Sequence, residues 1–237
     1  MIGLYPIELA THFITDGIGM VCLRLDRSRI DLGQLLQHGA ELPVDLQRSV
    51  HTRRVEYLAG RYCARQALGQ LGAATWAVGR KADGAPDWPE GILGSLSHTE
   101  ERVIACVAWQ SEWSGLGIDI EKIVGTEMLL SLEHLVFTQA DKLQMQASHL
   151  NLLETATLIF SAKEAFYKFI HPQTYASLDF KDVSLQAMDS DGFTIELHKG
   201  LGAPWGKGRR VRGSYLFESN HVITLIAKSR THPDSQF

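Results

Sequence analysis

The chain has 237 residues, of which 45% are hydrophobic and 21% are charged, and its formal net charge is −4. This balance is typical of a globular protein that buries a core; it argues against long disordered stretches and gives no indication of a nucleic-acid partner. The three cysteines, Cys22, Cys63 and Cys106, are odd in number and widely spaced, which argues against a disulfide framework or a zinc site and favours a reducing compartment.

The N-terminal residues, MIGLYPIELATHF, contain no basic region that leads into a long apolar stretch, as a secretory signal would. No run of apolar residues in the sequence reaches the length needed to span a membrane. We therefore expect a cytoplasmic protein with buried free thiols.

A strand is predicted over residues 20–25 and an amphipathic helix over residues 45–71. The apolar residues of this helix recur at helical spacing, Pro43 lies just ahead of it, and Gly72 can end it. Its polar face carries a set of arginines: Arg48, Arg53, Arg54, Arg61 and Arg65. Their excess over the two acids in the same span favours an anionic ligand, although a solvated basic face has the same pattern.

The segment 79–109 begins with glycines and prolines that predict a loop, and its last part, residues 102–109, alternates as a strand. Ser97 and His98 are therefore expected at a turn between extended segments. A histidine there could bind a phosphate oxygen. For a lone histidine, a partner within its own loop is more common, and an arginine in a polar loop, such as Arg80, is usually only solvated.

The string GIDIE places Asp119 and Glu121 two positions apart in a strand predicted over residues 115–120. Alternate residues of a strand project from the same face, so a hard cation could bridge the two carboxylates. Taken alone, an Asp-x-Glu pair at the end of an apolar strand is more often just the polar edge of that strand.

The string FSAKEAFYK, some forty residues later, predicts a helix that presents a third carboxylate. Glu164 and Lys168 lie four positions apart and therefore on one helical face, with Lys163 next to Glu164. A Glu–Lys pair at this spacing is usually a solvated surface. Together with the two acids of GIDIE, however, it indicates a site for magnesium and phosphate.

Two helices are predicted over residues 138–147 and 151–170. Thr138 and Asp141 have the spacing of a capping box at the start of the first helix, and Pro172 is expected to end the second. Strands are predicted in the last part of the chain, over residues 183–188, 193–197, 211–217 and 222–227. Runs of strands beside a few long helices indicate the α+β class rather than a doubly wound sheet.

A boundary near residues 111–115 would divide the chain into an N-terminal subdomain, residues 1–113, and a C-terminal subdomain, residues 114–237. The glycine-rich string GLGAPWGKGRR in the second subdomain does not fit a phosphate-binding P-loop. Its glycine spacing before Lys207 is wrong, and Gly208 stands where a Ser or Thr is required. We interpret it as a basic hairpin loop between strands.

Four strings occur in an order and approximate spacing that resemble the 4′-phosphopantetheinyl transferases: RRVEYLAGRYCARQALGQLG, GAPDWPEGILGSLSH, GIDIE and FSAKEAFYK. Within that family, the strings resemble the bacterial type that is similar to the enterobactin synthase component D enzymes. The resemblance covers nearly half the chain. It implies two similar α+β subdomains related by a pseudo-twofold axis, with coenzyme A in the cleft between them.

The resemblance also implies an activity. Enzymes of this family use Mg²⁺ to transfer the phosphopantetheine arm of coenzyme A to a serine of an apo carrier protein, and they release 3′,5′-ADP. We expect a monomer that serves an acyl, peptidyl or aryl carrier domain in siderophore, nonribosomal peptide or polyketide synthesis. A protein that binds coenzyme A or a carrier domain without catalysing transfer is the alternative. The apolar stretch of residues 127–137 could contact the carrier, but core packing explains it better.

By motif position, the resemblance implies three metal ligands, Asp119, Glu121 and Glu164. It implies contacts with coenzyme A by a larger set: Arg53, Arg61, Arg80, Ser97, His98, Lys163 and Lys168. Glu164 and Lys168 are the expected catalytic residues, and either Glu164 or a water on the metal would accept the proton of the carrier serine. Arg54 could take the place of Arg53.

Overall fold

The computed structural model describes residues 2–38, 41–73, 76–190 and 192–230. The chain divides into two compact units, Met1–Leu116 and Gly117–Phe237. Both units combine antiparallel strands with helices, which confirms the predicted α+β class. None of the helices within the described ranges is both long and apolar enough to cross a membrane.

The strands of the first unit are β1 Leu4–Ile7, β2 Ile18–Leu25, β3 Gly79–Arg80, β4 Pro86–Asp87, β5 Ile92–His98 and β6 Arg102–Trp109. Four of them form a sheet in the order β1-β2-β6-β5, with every neighbouring pair antiparallel. The helices of this unit are α1 Leu32–Gln37, α2 Val44–Gln47 and α3 His51–Gln70. One hydrophobic core is formed by the apolar face of α3 and the residues of β2 and β6 that meet it. The short strands β3 and β4 pair with each other inside the predicted glycine-proline loop.

The basic helix predicted over residues 45–71 is in fact two helices, α2 and α3, separated at residues 48–50. The apolar spacing over residues 45–71 predicts a single helix that continues through Val50. Val50 instead has an extended backbone, with φ −56° and ψ 151°, and its side chain is 73% exposed. The chain therefore turns where no buried side chain holds it in a helix, and α3 begins afresh at His51.

The strands of the second unit are β7 Trp113–Lys122, β8 Val183–Met188, β9 Gly192–Leu197, β10 Arg210–Glu218 and β11 His221–Ser229; β7 begins in the first unit. They form a sheet in the order β7-β11-β10-β9-β8. The helices of this unit are α4 Thr126–Leu135, α5 Gln139–Ala147 and α6 Leu152–Thr174. The long helix α6 packs along the sheet and supplies much of the core. The glycine-rich basic string lies between the antiparallel strands β9 and β10, as predicted.

The start of α5 agrees with the sequence prediction, whereas the end of α6 does not. Thr138 and Asp141 form the predicted capping box at the start of α5. The prediction that Pro172 ends α6 is wrong, because Pro172 lies inside the helix, which continues to Thr174. A proline loses its own backbone N–H donor and crowds the carbonyl four residues earlier, but Pro172 is only two residues from the end of the helix. The helix ends instead at Tyr175, which takes the left-handed conformation while its N–H donates to the carbonyl of His171.

Candidate active site

Strand β7 and helix α6 approach each other closely at Gly117. A Cβ atom built at Gly117 would lie 2.2 Å from the backbone oxygen of Ala165 and 2.6 Å from the backbone nitrogen of Phe169. Only a residue without a side chain fits there. Residues two and four positions further along β7, Asp119 and Glu121, share the face of Gly117. They therefore project on the side of the strand that α6 covers.

Asp119 is held by two donors from α6. The Lys168 ammonium donates to Oδ1 at 2.6 Å, and the Ser161 hydroxyl donates to Oδ2 at 2.8 Å. The Asp119 residue is 1% exposed, whereas the Lys168 side chain is 25% exposed. The structure thus joins the acid of GIDIE to the second lysine of FSAKEAFYK, two strings that are forty-nine positions apart at these residues.

Glu121 and Glu164 belong to the same electrostatic group. Burial raises the pKa of Glu121 to about 8, with a further increase from the charges of Asp119 and Glu164, while Lys168 opposes the shift. Burial also raises the pKa of Glu164, Asp119 adds to it, and Lys168 again opposes it. We call Asp119, Glu121, Glu164 and Lys168 the acidic cluster. Its three carboxylates repel one another, and a bound cation would relieve that repulsion.

The acidic cluster has the chemistry of a magnesium site without its finished geometry. Within the described residues, no group of three or more His, Cys, Asp or Glu side chains is already arranged to hold a metal ion. Both oxygens of Asp119 accept hydrogen bonds, Oδ1 from Lys168 and Oδ2 from Ser161. The donor set nevertheless fits, since Mg²⁺ prefers carboxylate oxygens and needs only a few of them beside water and phosphate.

Lys163 lies away from the acidic cluster, contrary to the predicted contact with coenzyme A. Its ammonium donates to the carbonyl of Val136 at 2.8 Å, to Asp141 Oδ2 at 2.6 Å and to the carbonyl of Phe180 at 2.9 Å. Both side chains of the Lys163–Asp141 ion pair are 0% exposed. Burial lowers the pKa of Lys163, and the charge of Asp141 opposes that shift. Three acceptors use all three ammonium hydrogens, so the contacts of Lys163 are those of a structural residue.

In the first unit, the predicted arginines include one that is buried without a carboxylate hydrogen-bonded to it. Arg61 is 6% exposed, its guanidinium lies 4.5 Å from the centre of the Tyr57 ring, and it donates to the carbonyl of Gly79 at 2.9 Å. Its Nε atom has no hydrogen-bond partner among the described residues. Burial lowers the pKa of Arg61, and the positive charge of Arg80 contributes. A buried cation in this state favours an anionic ligand.

The other predicted arginines are engaged to different degrees. Arg80 forms an ion pair and a hydrogen bond with Asp45. The Arg53 side chain is 52% exposed and lies 3.8 Å from a carboxylate oxygen of Glu56. Arg54 is half-buried, and its Nε lacks a hydrogen-bond partner in the part of the chain that the structure describes. Arg54 therefore remains an alternative to Arg53 as a ligand for phosphate.

Ser97 and His98 are the last two residues of β5, not residues of the turn that follows it. They pair across the sheet with Ile104 and Val103 of β6. Ser97 is buried and His98 is half-buried. The predicted turn is wrong because Gly94, which the sequence pattern assigns to the loop, belongs to β5 and lies against the ring of Trp88.

Comparison with known proteins connects these two groups of residues to one family. The 4′-phosphopantetheinyl transferase N-terminal domain matches residues 41–108, and the 4′-phosphopantetheinyl transferase superfamily matches residues 115–225. Enterobactin synthase component D of Salmonella typhi is 30% identical over 189 residues, which cover 79% of this chain and 77% of that protein. The chain belongs to the 4′-phosphopantetheinyl transferase superfamily.

Another relative is named as a phosphopantetheinyl transferase. The 4′-phosphopantetheinyl transferase Svp of Streptomyces mobaraensis is 34% identical, with 76% of this chain and 74% of that protein covered. The holo-[acyl-carrier-protein] synthase of Thermotoga maritima, a solved structure, has 18% identity and a TM-score of 0.37 over 48% of this chain and 61% of that chain, too low a similarity to support a conclusion. The family matches make this protein a phosphopantetheinyl transferase, an enzyme of the class that modifies carrier proteins.

Two residues beside the acidic cluster of this phosphopantetheinyl transferase were not predicted from its sequence. Ser161 contacts Asp119, and Thr224 of β11 contacts Ser161. Ser161 could have been found, because it precedes Glu164 by three positions and Lys168 by seven and so lies on their helical face. No pattern in the sequence indicates Thr224, which is sixty-three positions from Ser161.

Proposed function

We propose that this phosphopantetheinyl transferase moves the phosphopantetheine arm of coenzyme A to a serine hydroxyl of an apo carrier protein, with Mg²⁺ held by Asp119, Glu121 and Glu164. The observation that carries the proposal is the acidic cluster. It gathers three repelling carboxylates and one lysine where a strand and a helix touch, in a chain of this family. A cation bound there would neutralise diphosphate oxygens and stabilise the ADP leaving group.

The protein's own groups then have separate tasks. Lys168 has a flexible stem and is 25% exposed, so its ammonium can contact the diphosphate as well as Asp119. Glu164 accepts the proton of the carrier serine as the serine oxygen attacks the phosphorus of the phosphopantetheine group. The new P–O bond forms while the diphosphate P–O bond breaks, and 3′,5′-ADP leaves with the electron pair. Positioning and charge neutralisation supply most of the catalysis in such a transfer.

The basic residues of the first unit bind phosphate groups of coenzyme A in this proposal. Arg61 supports it best, because its buried guanidinium keeps one N–H without a hydrogen-bond partner among the described residues. Arg80 adds a second positive charge that affects Arg61. The larger set of phosphate ligands comprises Arg61, Arg80, Ser97 and His98, together with Arg53 or Arg54.

Intact mass spectrometry tests the activity directly. The protein is incubated with coenzyme A, Mg²⁺ and an apo carrier protein, and a transferase adds the mass of phosphopantetheine to the carrier. Omitting Mg²⁺ in the presence of EDTA should abolish the addition. A protein that only binds coenzyme A or the carrier would leave the carrier mass unchanged in every reaction, which would overturn the proposal.

The choice of carrier is tested with the same assay. We propose that the partner is a carrier domain of siderophore, nonribosomal peptide or polyketide synthesis, and a panel of apo acyl, peptidyl and aryl carrier domains will rank them by rate. Equal inactivity on all three classes, with intact binding of coenzyme A, would contradict this assignment.

A further inference from the structure

Asp119 is fixed at both of its carboxylate oxygens, and each oxygen has a different environment. Oδ1 accepts from Lys168, whose side chain is 25% exposed. Oδ2 accepts from Ser161, which is 0% exposed. The terminal torsion of an aspartate is broad and soft on its own. Two donors on one helix, seven positions apart, remove that freedom and hold Oδ1 against the partly exposed Lys168.

The direction of the hydrogen bonds follows from counting hydrogens. Asp119 lacks a donor when ionised, so the single hydroxyl hydrogen of Ser161 goes to Oδ2. The contact of 2.8 Å between the Ser161 and Thr224 hydroxyl oxygens must then use the hydrogen of Thr224. The same Thr224 hydroxyl lies 3.0 Å from the backbone oxygen of Ser161, so both acceptors share its hydrogen. The chain of donors therefore runs from Thr224 to Ser161 to Asp119.

This chain of hydroxyls connects three elements of the second unit. Ser161 belongs to α6, Asp119 to β7 and Thr224 to β11, the neighbour of β7 in the sheet. Ser161 and Thr224 are both 0% exposed, so neither hydroxyl can exchange its partner for water. Donors that polarise one another in a buried site strengthen the bond at the end of the chain.

From this arrangement we infer that Ser161, supported by Thr224, is a positioning residue of the transferase: it holds Oδ2 of Asp119 so that Oδ1 is presented to the cation. The inference rests on the metal site proposed above. It assigns Ser161 no contact with substrate or cation. Hydrogen-bonded partners of metal-ligating carboxylates typically affect metal affinity by about 10- to 100-fold, and we expect a loss in that range when the Ser161 hydroxyl is removed.

The experiment measures the affinity for Mn²⁺ by electron paramagnetic resonance, which detects the free ion. Mn²⁺ is titrated into the protein in the presence of coenzyme A, and a titration into coenzyme A without protein is the blank. Ser161→Ala should raise the Kd for Mn²⁺ about 10- to 100-fold. Ser184→Ala is the matched control. It removes another hydroxyl that is 0% exposed, one that contacts His198 and Gln186. Its Kd should equal that of the wild type.

A second pair of variants keeps the test decisive if Ser161→Ala does not fold. Thr224→Val removes the hydroxyl and keeps the shape, whereas Thr224→Ser keeps the hydroxyl. Thr224→Val should raise the Kd for Mn²⁺, whereas Thr224→Ser should have the Kd of the wild type. Thermal unfolding of all variants separates a loss of affinity from a loss of stability.

The outcomes distinguish this inference from the proposed function. In one outcome, the wild type binds Mn²⁺ and Asp119→Asn abolishes that binding, but Ser161→Ala or Thr224→Val changes the Kd for Mn²⁺ by less than about twofold. That outcome would overturn the role of Ser161 and leave the metal site in place. If the wild type and Asp119→Asn bind Mn²⁺ equally weakly, the proposed metal site is contradicted, and so is the role of Ser161.

Discussion

A methyl group added at Gly117 is predicted to move α6 away from β7 and so to open the acidic cluster. In Gly117→Ala, the new Cβ would lie 2.2 Å from the oxygen of Ala165 and 2.8 Å from the Cβ of Phe169. Ordinary carbon contacts begin near 3.5 Å, so the helix must shift by about 1 Å. Ala165 is next to Glu164, and a displacement of about 1 Å can reduce turnover about 100-fold. Overpacking of this kind also costs about 1–3 kcal/mol of stability.

The assay for Gly117→Ala is the rate of phosphopantetheine transfer to an apo carrier under saturating coenzyme A, together with a thermal unfolding curve. We expect kcat to fall about 100-fold and Tm to fall by roughly 2–12 °C. Gly206→Ala is the control, because no atom lies within 4 Å of the position that its Cβ would occupy. Near-normal kcat in Gly117→Ala, with Tm unchanged as in Gly206→Ala, would refute the argument that this contact sets the geometry of the cluster.

Three further substitutions test Glu164, Arg61 and the buried ion pair of Lys163 with Asp141. Glu164→Gln should reduce kcat about 100-fold or more while the Kd of coenzyme A changes little, and Glu41→Gln is its exposed control; near-normal turnover would remove Glu164 from the mechanism. Arg61→Met should raise KM for coenzyme A about tenfold or more. An unchanged KM would mean that Arg61 does not bind coenzyme A. Asp141→Asn should lower the free energy of unfolding by about 3–5 kcal/mol in a urea titration, because Lys163 would remain buried without a carboxylate; a loss below about 1 kcal/mol would contradict that interpretation.

Periodicity explains why part of the site was predictable. A strand repeats every two residues and a helix about every 3.6, so the sequence alone placed Asp119 with Glu121 and Glu164 with Lys168. The structure joins the two pairs through the contact between Asp119 and Lys168. The capping box and the strand over Arg102–Trp109 followed from local signals of the same kind.

Adjacent residues on a helix could not be separated in this way. Lys163 and Glu164 are neighbours in sequence, but a step of one residue rotates a side chain by about 100°. Lys163 consequently faces Asp141 in the interior, whereas Glu164 interacts with Asp119. Arg53 and Arg54 present the same ambiguity at the start of α3.

Contacts between distant parts of the chain were also beyond the sequence. Thr224 meets Ser161 only because β11 lies beside β7 in the sheet. Strand order depends on the packing of the whole unit, and the local sequence around residue 224 does not indicate it. The break between α2 and α3 was missed for a related reason, since only the structure reveals that Val50 faces solvent.

The most direct measurement is a crystal structure of the protein with coenzyme A and Mn²⁺, recorded at a wavelength where manganese gives an anomalous signal. We expect one anomalous peak within coordination distance of carboxylate oxygens of Asp119, Glu121 and Glu164 and of the diphosphate of coenzyme A. A bound coenzyme A with these three side chains directed apart, or with manganese held by other residues, would contradict it.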